Sequence, residues 1–374
     1  MSKQSNLGEV ASVFFRLGLV AFGGPAAHIA MMEDEIVEKR KWMDRQHFLD
    51  LMGATNLIPG PNSTEMTMHC GHERAGVPGL FVAGACFIFP AVVITAILGY
   101  LYVTYGQLPS VEPFLLGIKP AVLALIASAI YKLGKKALKG VELSILGVIT
   151  IIASLMGVNE IVALLSAGVI GTMYFYFKSA VNTGKVTSLI PLFFFQGAVV
   201  KLSTMKIFLS FLKVGAILYG SGYVLFAYLD AELVSSGVLS RPELMDAIAI
   251  GQFTPGPVLS TATFIGYQLG GISGAIAATF GMFLPSFLFV WIMNPLVPKM
   301  RQSKVLGYFL DCVNVAAVAV MVAVLFSMAK ESLIDWRSFV IAGLSAAAIF
   351  GPKKISVMWI VFGSAVLGYL LYMV

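Results

Sequence analysis

The chain has 374 residues, 58% of them hydrophobic and only 12% charged, and its mean hydropathy is +0.89. A soluble domain carries about 25% charged residues, so a soluble protein of this length could not cover its surface; a bilayer removes that need, because lipid-facing side chains stay apolar. The net charge of +6 comes with no basic run interleaved with aromatics, which argues against a nucleic-acid partner, and Cys70, Cys86 and Cys312 are too few and too far apart for a disulfide framework or a metal pattern.

Taken in chain order, Met1 to Glu9 is polar and lacks a signal peptide's short apolar core, so the first apolar segment is expected to be retained. A spanning helix needs about 20 apolar residues. Candidate spans run over Ala11 to Met32, Val77 to Val103, Pro113 to Tyr131, Val141 to Met156 and Ile161 to Phe177. A second set covers Ile207 to Leu229, Gly271 to Met293, Val305 to Ala329, Phe339 to Phe350 and Ile355 to Met373. Two stretches differ. His47 to Cys70 is interrupted by Pro59-Gly60-Pro61, and Leu244 to Gly266 by Pro255-Gly256-Pro257. Proline removes a backbone donor and glycine permits a sharp bend, so each triplet should end one short helix and let another begin.

These breaks expose an internal duplication. Phe15-Arg16-Leu17-Gly18 aligns with Leu212-Lys213-Val214-Gly215 at an offset of 197, and the two Pro-Gly-Pro triplets align at 196. Gly71, Gly76, Gly79 and Pro90 align with Gly266, Gly271, Gly274 and Pro285 at 195. Basic residues mark cytoplasmic loops. Lys132, Lys135, Lys136 and Lys139 cluster after the third span of the first half, whereas in the second half Lys299, Arg301 and Lys304 precede the equivalent span. Equivalent loops therefore lie on opposite sides. The expected fold is an all-α polytopic membrane protein of two homologous halves, arranged as inverted-topology repeats. Each half has about five spans plus a re-entrant Pro-Gly-Pro helical hairpin; counting the broken segments as crossings instead adds one span per half. The expected division is 1–180, a cytoplasmic linker 181–205, and 206–374, in the inner or plasma membrane.

Duplicated halves with matched broken helices point to a transporter's central site. A helix starting after each triplet has free N–H groups and a partial positive charge at its N-terminus, which suits an anion. The candidate substrate-binding residues are therefore Asn56, Pro59, Gly60, Pro61, Asn62, Ser63 and Thr64 in the first half, and Gln252, Thr254, Pro255, Gly256, Pro257, Ser260 and Thr261 in the second. The hydroxyls either contact substrate or cap their helices. Gly23 and Gly24, with Gly220 and Ser221, either let the backbone pass close to the hairpins or permit tight helix packing. Arg16 and its repeat mate Lys213 either direct positive charge at the symmetry axis or reach out to the headgroups. Lys119, whose mate is Asn314, has the same two readings. Glu65 is the coupling candidate: it either carries a proton or stabilises the first turn of its helix. His69 and His72 share its helical face, yet no further ligand completes a metal site, so neither metal nor cofactor is expected. No nucleophile elbow, P-loop or dinucleotide fingerprint occurs, so no enzymatic activity is expected.

Phe22-Gly23-Gly24-Pro25-Ala26-Ala27-His28-Ile29, Trp42 and Pro59-Gly60-Pro61 resemble the chromate transporter family. Gly220-Ser221-Gly222-Tyr223 and the run Asp246 to Pro257 resemble it more closely, and the two-domain length is similar to the family's long form. The resemblance implies an oxyanion carrier exporting chromate, with sulfate as a second candidate substrate. It departs from the family pattern at Asn62-Ser63-Thr64-Glu65, where an uncharged Ala-Ser-Ser-Gln is usual. The expected partners are a small inorganic anion and the lipid bilayer, with a homodimer as one assembly. A proton-coupled carrier of another small solute and a membrane-embedded enzyme are the alternative readings.

Overall fold

A computed structural model describes residues 6–22, 24–55, 58–106, 108, 111–181, 203–219, 222–294, 303–351 and 355–372. The described residues are helices joined by short turns. The first half contains α1 (Leu7–Val20), α2 (Pro25–Met32, continued by π-helical turns over Glu33–Lys39), α3 (Arg45–Thr55), α4 (Asn62–Tyr105), α5 (Glu112–Ala137), α6 (Val141–Leu155) and α7 (Glu160–Val181). The second contains α8 (Thr204–Ile217), α9 (Leu225–Leu229, continued by π-helical turns over Asp230–Val234), α10 (Arg241–Phe253), α11 (Thr261–Met293), α12 (Lys304–Ser332), α13 (Trp336–Phe350) and α14 (Val357–Tyr372). Local chemistry sets several starts. Ser240 and Glu243 form a reciprocal capping box on α10, with a proline in its first turn. Asp335 and Ser338 do the same for α13, and Ser203 and Ser303 cap α8 and α12.

Five described segments are long and apolar enough to cross a membrane: Asn62–Tyr105, Glu112–Ala137, Glu160–Ser179, Val258–Met293 and Lys304–Ser332. α6, α13 and α14 are shorter apolar helices. The expected first span of each half is not continuous. α1 stops at Val20, and α2 begins at Pro25 after Gly24, whose φ of 81° excludes most side chains. α2 then runs back beside α1, bringing Arg40 and Trp42 onto Glu9 at 3.0 and 3.3 Å. α8 and α9 repeat the fold-back, with the Lys213 ammonium 2.6 Å from Glu232 and the Tyr228 hydroxyl donating to the Ile217 carbonyl. Thus Ala11 to Met32 and Ile207 to Leu229, expected as spans, are each two helices meeting at a break. The uniform apolarity of these runs hides it.

α4 and α11 also fold back on themselves. Their backbones leave helical geometry at Ala75 and Gly76, and at the equivalent Gly270 and Gly271, with φ of 65° at Gly76 and 61° at Gly271. The two arms of each hairpin then touch through backbone. A Cβ on Gly71 would strike the Gly79 carbonyl, and one on Gly266 would strike that of Gly274. α1 lies against the second arm of α4 the same way, Gly18 facing the Phe87 carbonyl. Its counterpart is Gly215 of α8 against the Met282 carbonyl of α11. The glycines noted in the repeat are thus the points where helix backbones meet, as small residues do in membranes.

The halves pack antiparallel. Asn294, just past α11, meets His69 and His72 at the fold-back end of α4. Tyr267, near the fold-back of α11, packs on Gly99 and Tyr100 toward the far end of α4. Between them Phe81 and Phe287 stack at 5.6 Å. One end of the bundle therefore carries the Glu9, Arg40 and Arg74 cluster with the Lys139–Asp311 and Lys178–Glu142 pairs. The other carries Arg241 with Asp230 and Glu331, and Tyr372 on Asp335. Leu7 and Tyr372 lie at opposite ends. The expected linker 181–205 falls almost wholly outside the described residues.

Candidate functional site

Both Pro-Gly-Pro elbows dock on the opposite half. The Gly60 amide donates to the Leu218 carbonyl at 2.6 Å, and the Gly256 amide to the Ala21 carbonyl at 2.8 Å. Leu218 and Ala21 end α8 and α1, so each elbow hooks onto the broken end of the other half's first helix. The second contact of each elbow is matched as well. A Cβ on Gly256 would lie 3.0 Å from the Ala91 methyl, and one on Gly60 would overlap the Ser286 hydroxyl; Ala91 and Ser286 each follow a repeat proline, Pro90 and Pro285. Ala91 is the midpoint of the long arm of α4, so the crossing sits halfway along a spanning helix.

The elbow glycine amides are therefore engaged with the opposite half, whereas the expectation concerned the first N–H groups of the helices that follow the triplets; of those, the Thr64 and Glu65 amides donate back to the Pro61 carbonyl. The first arm of α4 still directs its positive end at the elbow. Several buried side-chain atoms at the crossing have no hydrogen-bond partner among the described residues. Thr64 Oγ1 and Ser260 Oγ, equivalent positions three residues beyond the second proline, are both fully buried and unpaired. Ser286 Oγ and Gln252 Nε2 also lack partners. An unmade hydrogen bond on a buried hydroxyl costs about 1–3 kcal/mol, so this recurrence in both halves is a feature to explain.

The other sequence candidates divide. Ser63 faces Nδ1 of His28 at 3.3 Å, while His28 Nε2 lies 3.1 Å from the Ala21 carbonyl, which already accepts from Gly256. Because a carbonyl only accepts, Nε2 is the donor there. His28 thus ties the end of α1 to both elbows, a role the sequence reading missed although the residue lies in a quoted motif. The Thr254 and Thr261 hydroxyls are spent on the Gly251 and Val258 carbonyls. Gly24 lies against the hydroxyl of Tyr223, where a Cβ would be 3.1 Å away. Asn62 opens α4, and Pro59, Pro61, Pro255 and Pro257 are buried in the elbows. Gly23, Asn56, Gly220 and Ser221 lie outside the described residues.

Arg16 and Lys213 do not face the axis. Arg16 shares the exposed face of α1 with Phe15, Leu19 and Val20, opposite the buried Val13, Phe14 and Leu17. Lys213 is exposed and spent on Glu232. Replacing both by alanine is expected to change transport by less than about threefold, as for surface charges; a larger loss in a flux assay would return them to the site. Lys119 sits elsewhere, 3.5 Å from Asp246, which also accepts from the Tyr102 hydroxyl at 2.8 Å. These groups, with Glu112, Leu115 and Leu116, line a cavity of ≈ 300 Å³ near the second end of the bundle. Asp246 and Tyr102 were not singled out from sequence; a lone carboxylate inside the apolar run Leu244 to Ile250 was the available signal. Glu65 and the two histidines separate, Glu65 at the first elbow and His69 with His72 on Asn294.

The family description "chromate transporter" matches the chain twice, over residues 8–172 and 205–369. The chain belongs to the chromate transporter family. Membership and the long apolar helices make it a multi-pass membrane transporter and not an enzyme. It is 29% identical to the chromate transport protein of Cupriavidus metallidurans over 374 residues, covering 98% of this chain and 93% of that one. It is 28% identical to the probable chromate transport protein of Synechococcus elongatus, covering 90% and 88%, and 28% identical to the chromate transport protein of Pseudomonas aeruginosa, covering 96% and 91%. No solved structure matches the chain.

Proposed function

We propose that this chromate transporter family member carries chromate across the membrane at the crossing of its two elbows. The observation that carries the reading is the matched pair of buried, partnerless hydroxyls, Thr64 and Ser260. A tetrahedral oxyanion offers only acceptor oxygens, so it satisfies donors that the protein leaves unpaired. Ser286 and Gln252 add two further donors, and the α4 dipole adds positive potential. Lys119 provides an approach from the Asp246 cleft: about nine residues of helix, some 13 Å, separate Asp246 from the second elbow. The antiparallel halves are read as an inverted repeat, with both Pro-Gly-Pro hairpins re-entrant and the Lys132–Lys139 end cytoplasmic. Alternating access then consists of parting one elbow from the opposite half while the other stays hooked. Outward transport, sulfate as a second substrate and assembly as a homodimer belong to the same proposal.

Inside-out vesicles or proteoliposomes loaded with labelled chromate provide the test. Saturable chromate flux, competed by sulfate and accelerated by counterflow, is expected. Flux that rises linearly with concentration and ignores sulfate would contradict a carrier with one oxyanion site.

A further inference from the structure

Glu65 breaks the symmetry of the site. It is fully buried, and neither carboxyl oxygen has a hydrogen-bond partner. One of those oxygens and the Ser286 hydroxyl both lie against the bare α-carbon face of Gly60, where a Cβ would overlap them. The counterpart in the second half is Thr261, whose hydroxyl is occupied by the Val258 carbonyl. The groups around Glu65 include Ser286 from α11 and Tyr219 from the break after α8, which lies within its electrostatic reach. His28 reaches the start of α4 through Ser63, and His69 lies one helical turn along. Among the described residues, no charged side chain pairs with Glu65. A carboxylate buried without a partner costs several kcal/mol. A positive partner must therefore accompany the carboxylate, and the described residues do not supply one.

We propose that Glu65, with Ser286 and the Gly60 elbow, is the seat of a coupling monocation, a proton or a sodium ion, carried in addition to the oxyanion. The inference rests on the oxyanion reading for its partner solute but not for the seat itself. A proton converts the carboxylate to an acid whose O–H reaches a neighbouring oxygen; sodium takes the carboxylate and hydroxyl oxygens as hard ligands. Either removes one unit from the charge moved with a dianion, worth about 2.3 kcal/mol per 100 mV. Since Thr261 stands at the equivalent position of the second half, this seat takes one cation per cycle.

The test uses the full chain in liposomes with chromate, the voltage clamped by an ionophore, and a pH or sodium gradient imposed separately. One gradient, and not the other, is expected to drive accumulation of up to about tenfold per tenfold cation ratio; which one responds identifies the ion. Glu65→Gln should only equilibrate chromate, and Glu65→Asp should restore part of the accumulation. Wild type that accumulates without either gradient, or Glu65→Gln that accumulates like wild type, overturns the seat. If Glu65→Gln carries nothing at all, thermal unfolding decides. A midpoint that moves with sodium or pH in wild type but not in Glu65→Gln supports the seat, and equal movement in both overturns it. Should wild type move no chromate yet keep that Glu65-dependent midpoint, the oxyanion reading falls and the cation seat stands.

Discussion

Changing Thr64 and Ser260 together to alanine lowers kcat/KM for chromate by about 100-fold, roughly 3 kcal/mol, while the folded protein becomes no less stable. The two directions follow from one observation. Each hydroxyl is buried with no partner, so each imposes a desolvation cost on the fold that removal relieves. Each gains a charge-assisted hydrogen bond only when an anion arrives, worth about 1.5–3 kcal/mol. Packing residues behave oppositely: truncation would loosen the protein and leave flux per folded molecule intact. Thermal unfolding and initial-rate flux on the same preparation separate the two, and the single variants show how the loss divides between the halves.

The second large effect is at the elbow glycines. Gly60→Ala is expected to abolish most transport and to destabilise the fold by about 3 kcal/mol. Its Cβ would overlap the Glu65 carboxyl and the Ser286 hydroxyl at a φ of 143°. Gly76→Ala is the control. Gly76 also has a positive φ, 65°, but nothing lies within 4 Å of a Cβ there, so only the backbone term of about 1–2 kcal/mol applies. The difference isolates the close packing of Glu65 and Ser286 around the elbow from the general need for glycine in a turn. Equal losses at both positions, measured by unfolding midpoint and flux, would mean the elbow contact contributes nothing beyond chain geometry.

How much of this was legible in the sequence depended on whether the signal was local. The elbows were, because Pro-Gly-Pro stops a helix wherever it stands. The repeat was too, because the glycines at Gly71, Gly79, Gly266 and Gly274 mark backbone contacts that no larger residue permits. The breaks after α1 and α8 carried a local signal in Gly23-Gly24-Pro25 and Gly220-Ser221-Gly222, yet the surrounding apolar runs were long enough to span and outweighed it. The sides taken by Arg16 and Lys213 stayed open between two readings because position along a helix says nothing of its face. The spacing of Val10, Val13, Phe14 and Leu17 already set Arg16 on the other side. What no local pattern could provide is the crossing itself. Gly60 meets Leu218, and Gly256 meets Ala21, only once two halves nearly 200 residues apart are placed against each other.

The most direct measurement is the position of chromium in an experimental structure of the chromate-bound protein, located by its anomalous scattering. A chromium peak at the elbow crossing is expected, with chromate oxygens within hydrogen-bonding distance of Thr64 Oγ1, Ser260 Oγ or both. A single peak in the Lys119–Asp246 cleft, with the two hydroxyls still unpaired, would contradict it.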